Sequence, residues 1–304
     1  MVQLKFFEIG WRTRTDGPGK RVIIYLQGCH LRCPWCHSPH SWDRQRAPLL
    51  FNATLCTNCG KCVAVCPNGV HKIRENLHTI NRNACDGCGR CQSVCPNSQP
   101  DYNGGALSLP TREMSAQALF ELVFPQALMY REHGGITLSG GEALLQTEEV
   151  MEFLRLCRQK DIPVCIESSF TLPAEVYENA AEYVDCWLAG LRDTNFGEKN
   201  GNADELVKKN LQIVNTGKSH VIARYPLING FTTDKEDLER YAALMSEARI
   251  TELQILPCNP DTTHYYRLSG IAYNFKPERI MPTSQQLEEA CTYFAQREID
   301  VAVL

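Results

Sequence analysis

Short apolar runs alternate with longer amphipathic ones through most of this 304-residue chain. From about Leu109 onward the pattern predicts strands near Gly135 to Ser139, Val164 to Ser168, Val184 to Ala189, His220 to Tyr225, Glu252 to Leu256 and Asp300 to Val303. Helices are expected between and around them, at about Ser115 to Phe124, Gln146 to Gln159, Pro173 to Ala181, Ala203 to Asn215, Asp234 to Glu247 and Ser284 to Arg297. The run Val22-Ile23-Ile24-Tyr25-Leu26 adds a first buried strand. Such alternation predicts a parallel sheet crossed by helices. Six or seven strand-helix units fall short of the eight that close a barrel, so the expected fold is α/β with a partial barrel. Ligand residues in such sheets gather where the strands end, which directs attention to those loops.

After Trp42 the pattern stops. Residues from about Leu50 to Gly105 instead carry Cys56-x2-Cys59-x2-Cys62-x3-Cys66-Pro67 and Cys85-x2-Cys88-x2-Cys91-x3-Cys95-Pro96, an internal repeat. This is the spacing of bacterial ferredoxins, in which the fourth cysteine of each run ligates the other cluster. One cluster would take Cys56, Cys59, Cys62 and Cys95; the second would take Cys85, Cys88, Cys91 and Cys66. A pair of zinc sites is the competing reading. Four-thiolate clusters are closed and suit electron transfer, and in so small a segment the metal would supply much of the fold. The expected organisation is residues 1–49 as the first part of the barrel, 50–105 as a bacterial-ferredoxin-like insert, and 106–304 as the rest.

Just beyond the first strand lies Cys29-His30-Leu31-Arg32-Cys33-Pro34-Trp35-Cys36. Three thiolates on one loop can hold three irons of a cubane cluster and leave the fourth open to a ligand. A zinc knuckle completed by His30 or His37, or three core cysteines, would account for the same residues. Composition favours metal. Sixteen cysteines in a chain whose start, Met1-Val2-Gln3-Leu4-Lys5-Phe6-Phe7, is not a signal peptide argue against disulfides and for a reducing, cytoplasmic setting. The five cysteines outside these runs, Cys157, Cys165, Cys186, Cys258 and Cys291, lack ligand spacing and read as small core residues. A net charge of -4 gives no basic surplus for nucleic acid, and no apolar run is long enough for a membrane span.

The cysteine loop resembles the signature of the radical S-adenosylmethionine (SAM) enzymes, including the aromatic Trp35 before the third cysteine. Together with the turn Asp16-Gly17-Pro18-Gly19 and the flanking Gln27-Gly28 and His37-Ser38-Pro39, it resembles the glycyl-radical-enzyme activating enzymes of the pyruvate formate-lyase activating type. The resemblance implies a (β/α)6 TIM-like radical SAM barrel and three 4Fe-4S clusters, one of them at Cys29, Cys33 and Cys36 and chelated by SAM. It also implies reductive cleavage of SAM to a 5'-deoxyadenosyl radical, which takes a hydrogen atom from a backbone glycine of a partner glycyl radical enzyme. Flavodoxin or ferredoxin would supply electrons. Trp35 would lie over the adenine, and Gly140, Gly141 and Glu142 would bind the SAM amino group. Glu167 with Ser168 and the arginines Arg192 and Arg224 would complete the pocket, and Asp16 would hold the partner's glycine loop.

Two strand ends depart from the family pattern. Gly190 and Arg192 stand where relatives carry Asp-Leu-Lys, which puts a monovalent-cation site in doubt, and Asn259 stands for a SAM-binding histidine. A radical SAM enzyme acting on a small metabolite or peptide, and a non-catalytic electron carrier built on the eight ferredoxin cysteines, are the alternative readings.

Overall fold

The structure, a computed structural model, describes residues 3–13, 15–98, 104–192 and 202–304. Met1 and Val2, Arg14 before the Asp-Gly-Pro-Gly turn, and 99–103 of the insert lie outside these. In chain order the elements are β1 (Gln3–Thr13), β2 (Lys20–Leu26), β3 (Leu50–Phe51), α1 (Lys61–Val65), β4 (His71–Arg74), β5 (Leu77–Ile80), α2 (Arg90–Val94), β6 (Leu107–Ser108), β7 (Arg112–Ser115), α3 (Ala116–Tyr130), β8 (Gly134–Gly140) and α4 (Thr147–Gln159). They continue with β9 (Val164–Ser168), α5 (Ala174–Ala180), β10 (Cys186–Gly190), α6 (Asn202–Val214), β11 (His220–Leu227), α7 (Lys235–Glu247), β12 (Glu252–Pro257), α8 (Thr263–Ser269), α9 (Pro277–Ile280), α10 (Ser284–Ala295) and β13 (Asp300–Val303).

The main sheet runs β13-β12-β11-β10-β9-β8-β2-β1-β7. From β2 through β13 its neighbours are parallel, and α3, α4, α5, α6, α7 and α10 make the crossovers, giving the six strand-helix units expected. No ladder joins β13 to β7 among the described residues, and the parallel strands make up a partial barrel. Alternation along each strand sorts the side chains. Val22, Ile24, Leu26, Ile136, Leu138, Val164, Ile166, Trp187, Ala189, Ala223 and Tyr225 pack under the helices in one large core. Their neighbours Arg21, Thr137, Cys165, Glu167, Cys186 and Arg224 therefore face the other side of the sheet.

Two strands of the main sheet, β1 and β7, were not expected from the pattern. β1 pairs antiparallel with β2 and β7, its register broken between Phe6 and Glu8 and again between Gly10 and Thr13. These shifts interrupt the period-two pattern by which a strand is recognised. Likewise α3 runs past Pro125 to Tyr130, although proline cannot donate to the preceding turn. Leu119, Phe120, Val123 and Ala127 are all buried against the sheet, and that packing carries the helix through.

The insert leaves and rejoins the barrel through β3 and β6, which pair antiparallel. Its own core is small: Leu49, Val70 and Leu107 packed among cysteines. Arg82 fastens it to the barrel, donating from Nε to the Leu49 carbonyl at 2.8 Å and from Nη2 to the Leu268 carbonyl at 2.9 Å. Gly270, with φ 68°, follows α8 where a side chain would overlap that guanidinium. Arg82→Ala should remove two charge-assisted bonds, worth about 2 kcal/mol together. Hydrogen exchange in α8 and β3 should then quicken while β9 to β11 stay protected; equal protection in both proteins would show that Arg82 does not anchor the insert.

Candidate active site and thiol clusters

The cysteine loop leaves β2 and is held by backbone on two sides. Gly28 and Cys29 donate to the Ser41 and Trp42 carbonyls at 2.8 and 3.1 Å, while Gly141 and Glu142 donate to the Leu26 and Gly28 carbonyls at 2.9 and 2.8 Å. Gln146 locks the corner, bonding the Lys5 and Gln27 carbonyls through Nε2 at 2.7 and 2.9 Å. A Cβ on Gly140 would overlap the backbone of Leu26, and one on Gly141 would overlap the Gly28 carbonyl. These glycines therefore admit the close approach of the cysteine loop.

The C-terminal ends of β2 and β8 to β12 surround a cavity of about 400 Å³. Its walls include every residue expected there: Asp16, Cys29, Cys33, Trp35, Cys36, Gly140, Gly141, Glu142, Glu167, Ser168, Arg192 and Arg224. Trp35 packs edge-on against Phe231, with ring centroids 5.5 Å apart, in an apolar cluster with Ile228, Cys258 and Ile280. The turn carrying Asp16 is inserted into the sheet interior. Thr137 donates to the Asp16 carbonyl at 2.6 Å, Arg224 to the Thr15 carbonyl, and Arg21 to the Pro18 carbonyl at 3.0 Å.

Charge is shared unevenly around the cavity. Glu167 accepts from Ser139 at 2.7 Å and faces Arg192 at 3.2 Å and Arg224 at 3.4 Å. Burial works against its charge, but the two arginines prevail and hold its carboxyl below the usual range. Asp16 lies 3.8 Å from Arg224 and is pushed the other way, by burial and by Glu167. Burial opposes the charge of Arg192, yet the sulfurs of Cys33, Cys29 and Cys36 once ionised, with the Glu167 carboxylate, raise its pKa. The Cys29 and Cys36 thiols are themselves pushed up to about 12 and about 11, chiefly by burial. Thiols so protected keep their protons until a metal displaces them.

Glu142 is buried, and its two oxygens differ. Oε2 accepts from the Ser169 amide at 2.9 Å and the Ser169 hydroxyl at 2.6 Å, whereas Oε1 has no hydrogen-bond partner. A buried carboxylate oxygen without a donor is costly and suits an incoming ammonium group. The residues present thus fit SAM: three thiols for its cluster, an anionic oxygen for its amino group and arginines for its carboxylate.

The comparisons with known proteins follow the same line. Residues 48–96 match the model of a 4Fe-4S dicluster domain. The chain is 36% identical over 246 residues to the choline trimethylamine-lyase activating enzyme of Oleidesulfovibrio alaskensis, covering 78% of this chain and 77% of that one. It is 31% identical over 311 residues to the (2S)-3-sulfopropanediol dehydratase activating enzyme of Klebsiella oxytoca, covering 98% and 96%. This chain belongs to the glycyl-radical-enzyme activating enzymes. Its fold is also similar to that of Streptococcus suis SuiB, solved with the precursor peptide SuiA, at 14% identity and a TM-score of 0.50 over 93% of this chain and 48% of that one.

Within this activating enzyme the departures at Gly190 and Asn259 have local reasons. A Cβ on Gly190 would stand 3.1 Å from Nε and 3.3 Å from Nη2 of Arg192, so a side chain there would crowd the guanidinium. Asn259 turns its Oδ1 back to the Asp261 amide at 2.8 Å and builds the loop before α8. Ser168 Oγ lies 2.9 Å from the buried Tyr177 hydroxyl, on the helix side, and the next hydroxyl, Ser169, touches Glu142. Ser139 and Gln254, which bind Glu167 and Arg224, carried no motif and were not found in the sequence.

In the insert, Cys56, Cys59, Cys62 and Cys95 line one small cavity, and Cys66, Cys85, Cys88 and Cys91 line another. Each cavity therefore draws three cysteines from one run and the fourth from the other.

Gly141→Ala should force the two loops apart, at about 2 kcal/mol. Iron and sulfide content per reconstituted chain should fall by the cluster of the three-cysteine site alone; unchanged content would mean that the loops yield without consequence. Glu167→Gln should cost about 3 kcal/mol, because both arginines lose their buried partner. Since the folded-state pKa of Glu167 is depressed, its contribution is present above its ordinary value of 4.5 and lost as pH falls through the folded value. The stability gap between native and Glu167→Gln chains in unfolding experiments should therefore shrink in acid. A gap independent of pH would show that Glu167 is not ionised in the folded chain.

Proposed function

We propose that this activating enzyme holds three 4Fe-4S clusters, one at Cys29, Cys33 and Cys36 and two in the insert, and uses them to generate a glycyl radical on a partner enzyme. When bound and reduced, the three-cysteine cluster supplies the electron that cleaves SAM to methionine and the 5'-deoxyadenosyl radical, which abstracts a hydrogen atom from a backbone glycine. The observation that carries this reading is the convergence, in one cavity, of three thiols with the bare carboxylate oxygen of Glu142.

The chain's own residues bind, orient and keep water out. Glu142 takes the SAM amino group through Oε1, with Oε2 fixed by Ser169. Arg192 and Arg224, both tied to Glu167, offer charge to the SAM carboxylate. Trp35 and its apolar neighbours close one wall, so the adenine has a surface to lie on and solvent has little access. Asp16 presents its carboxyl from the inserted turn and receives the partner's glycine loop. The insert relays electrons from a flavodoxin or ferredoxin.

Cys33→Ala should abolish SAM cleavage, measured as 5'-deoxyadenosine and methionine. Cys88→Ala should keep part of the cleavage with a chemical reductant and lose it with flavodoxin or ferredoxin. If both variants are equally dead, the division of labour is wrong. Anaerobic mixing with the candidate glycyl radical enzyme should give a glycine-centred paramagnetic signal; normal SAM turnover without one would point to a small substrate instead.

A further inference from the structure

Between the two cysteine runs, β4 and β5 form an antiparallel hairpin in which Ile73 pairs with His78 and His71 with Ile80. Histidines occupy buried positions on both strands: His71 is 2% exposed and His78 is 8% exposed. Their rings meet, with His71 Nδ1 3.0 Å from His78 Nε2. His78 lines the cavity of Cys56, Cys59, Cys62 and Cys95, and His71 lines that of Cys66, Cys85, Cys88 and Cys91. His78 Nδ1 stands 3.3 Å from Cys56 Sγ, and its Nε2 stands 3.8 Å from Cys62 Sγ.

We propose that the His71–His78 pair is a buried hydrogen-bonded bridge between the two four-cysteine sites, in which His78 donates to the Cys56 sulfur and thereby raises the reduction potential of the first insert cluster. This rests on the reading that both sites hold clusters. The direction of the bond follows from donor and acceptor counts. Two N–H groups cannot face each other across 3.0 Å, so one of the meeting nitrogens is bare. A cluster-bound Cys56 has no proton, and a bare His78 Nδ1 would set lone pair against lone pair. With the proton on His78 Nδ1, it donates to Cys56 Sγ while Nε2 accepts from His71 Nδ1–H. His71 Nε2 is then the bare nitrogen, and it is a buried atom without a hydrogen-bond partner.

Reduction adds negative charge to a cluster, and a donor to its sulfur stabilises that charge. The Asn58 amide also donates to Cys56 Sγ, at 3.4 Å. At the second site the Val70 amide donates to Cys66 Sγ at 3.4 Å, and Arg46 Nη1 lies 3.9 Å from Cys85 Sγ. Backbone donors are thus shared by the two sites, while the imidazole donor belongs to the first and the guanidinium charge to the second.

The test is a potentiometric titration of the full cluster-loaded chain, followed by electron paramagnetic resonance, with iron and sulfide counted for each protein. His78→Phe keeps a ring but no donor. It should lower the ratio of reduced to oxidised first insert cluster about tenfold at a fixed potential, a shift of about 59 mV for a one-electron couple. His78→Gln, which keeps an N–H, should recover most of this, and His71→Phe should shift the same cluster by less. Clusters in His78→Phe that are complete and titrate at the native potential would overturn the bridge. So would the loss of one whole cluster in both His78 variants, which would make His78 a ligand. A native chain that binds only the iron of the three-cysteine site would instead overturn the reading of the insert, and the bridge with it.

Discussion

The contact on which the site depends is between two pieces of backbone. Gly140 and Gly141 lie so close to Leu26 and Gly28 that neither position has room for a Cβ, and the amides of Gly141 and Glu142 bond the carbonyls opposite. Because the two strands β2 and β8 are parallel neighbours, their ends leave the sheet side by side. The close approach then fixes the cysteine loop and the Glu142 carboxylate in one frame. A side chain at either glycine would move the thiols and the anion relative to each other, and the chemistry needs both.

Around that frame the charges form a chain. Glu167 sits between Arg192 and Arg224, and Arg224 reaches on to Asp16 and to the carbonyl of Thr15. Burying so many charges is costly unless each is paired, and here the pairing is achieved across three separate strand ends and one inserted turn. Gly190 fits that arrangement, because a side chain there would crowd the guanidinium of Arg192, which lines the same cavity as the three thiols.

Much of this was legible in the residues themselves. The parallel strands follow from their apolar runs, and the thiol sets follow from spacing, because cysteine chemistry at fixed intervals has few uses. What was hidden depends on packing. The bulged β1 breaks its own period, and α3 outruns Pro125 because the sheet rewards the buried face. Ser168 and Ser169 look alike in sequence, yet alternation sends one hydroxyl to Tyr177 under the helices and leaves the other beside Glu142. Ser139 and Gln254 belong to no motif, since their meaning arises only when strands distant in sequence come together, and the touching histidines meet only once β4 and β5 close their hairpin.

The insert shows how such a module can enter a barrel without disturbing it. Its entry at Leu50 and its exit at Ser108 are partners in one short ladder, so to the surrounding sheet the whole segment closes like a tight loop. Lengthening a loop whose ends stay together adds little entropy cost, because that cost grows only with the logarithm of length. The larger demand is internal, for the buried cluster at the centre of the segment holds only Leu49, Val70 and Leu107 besides cysteines. The cysteines occupy the positions where a larger domain would place leucines. On the proposed function the same sulfurs fold the module and carry its electrons, and a chain that loses its metal there should lose both together.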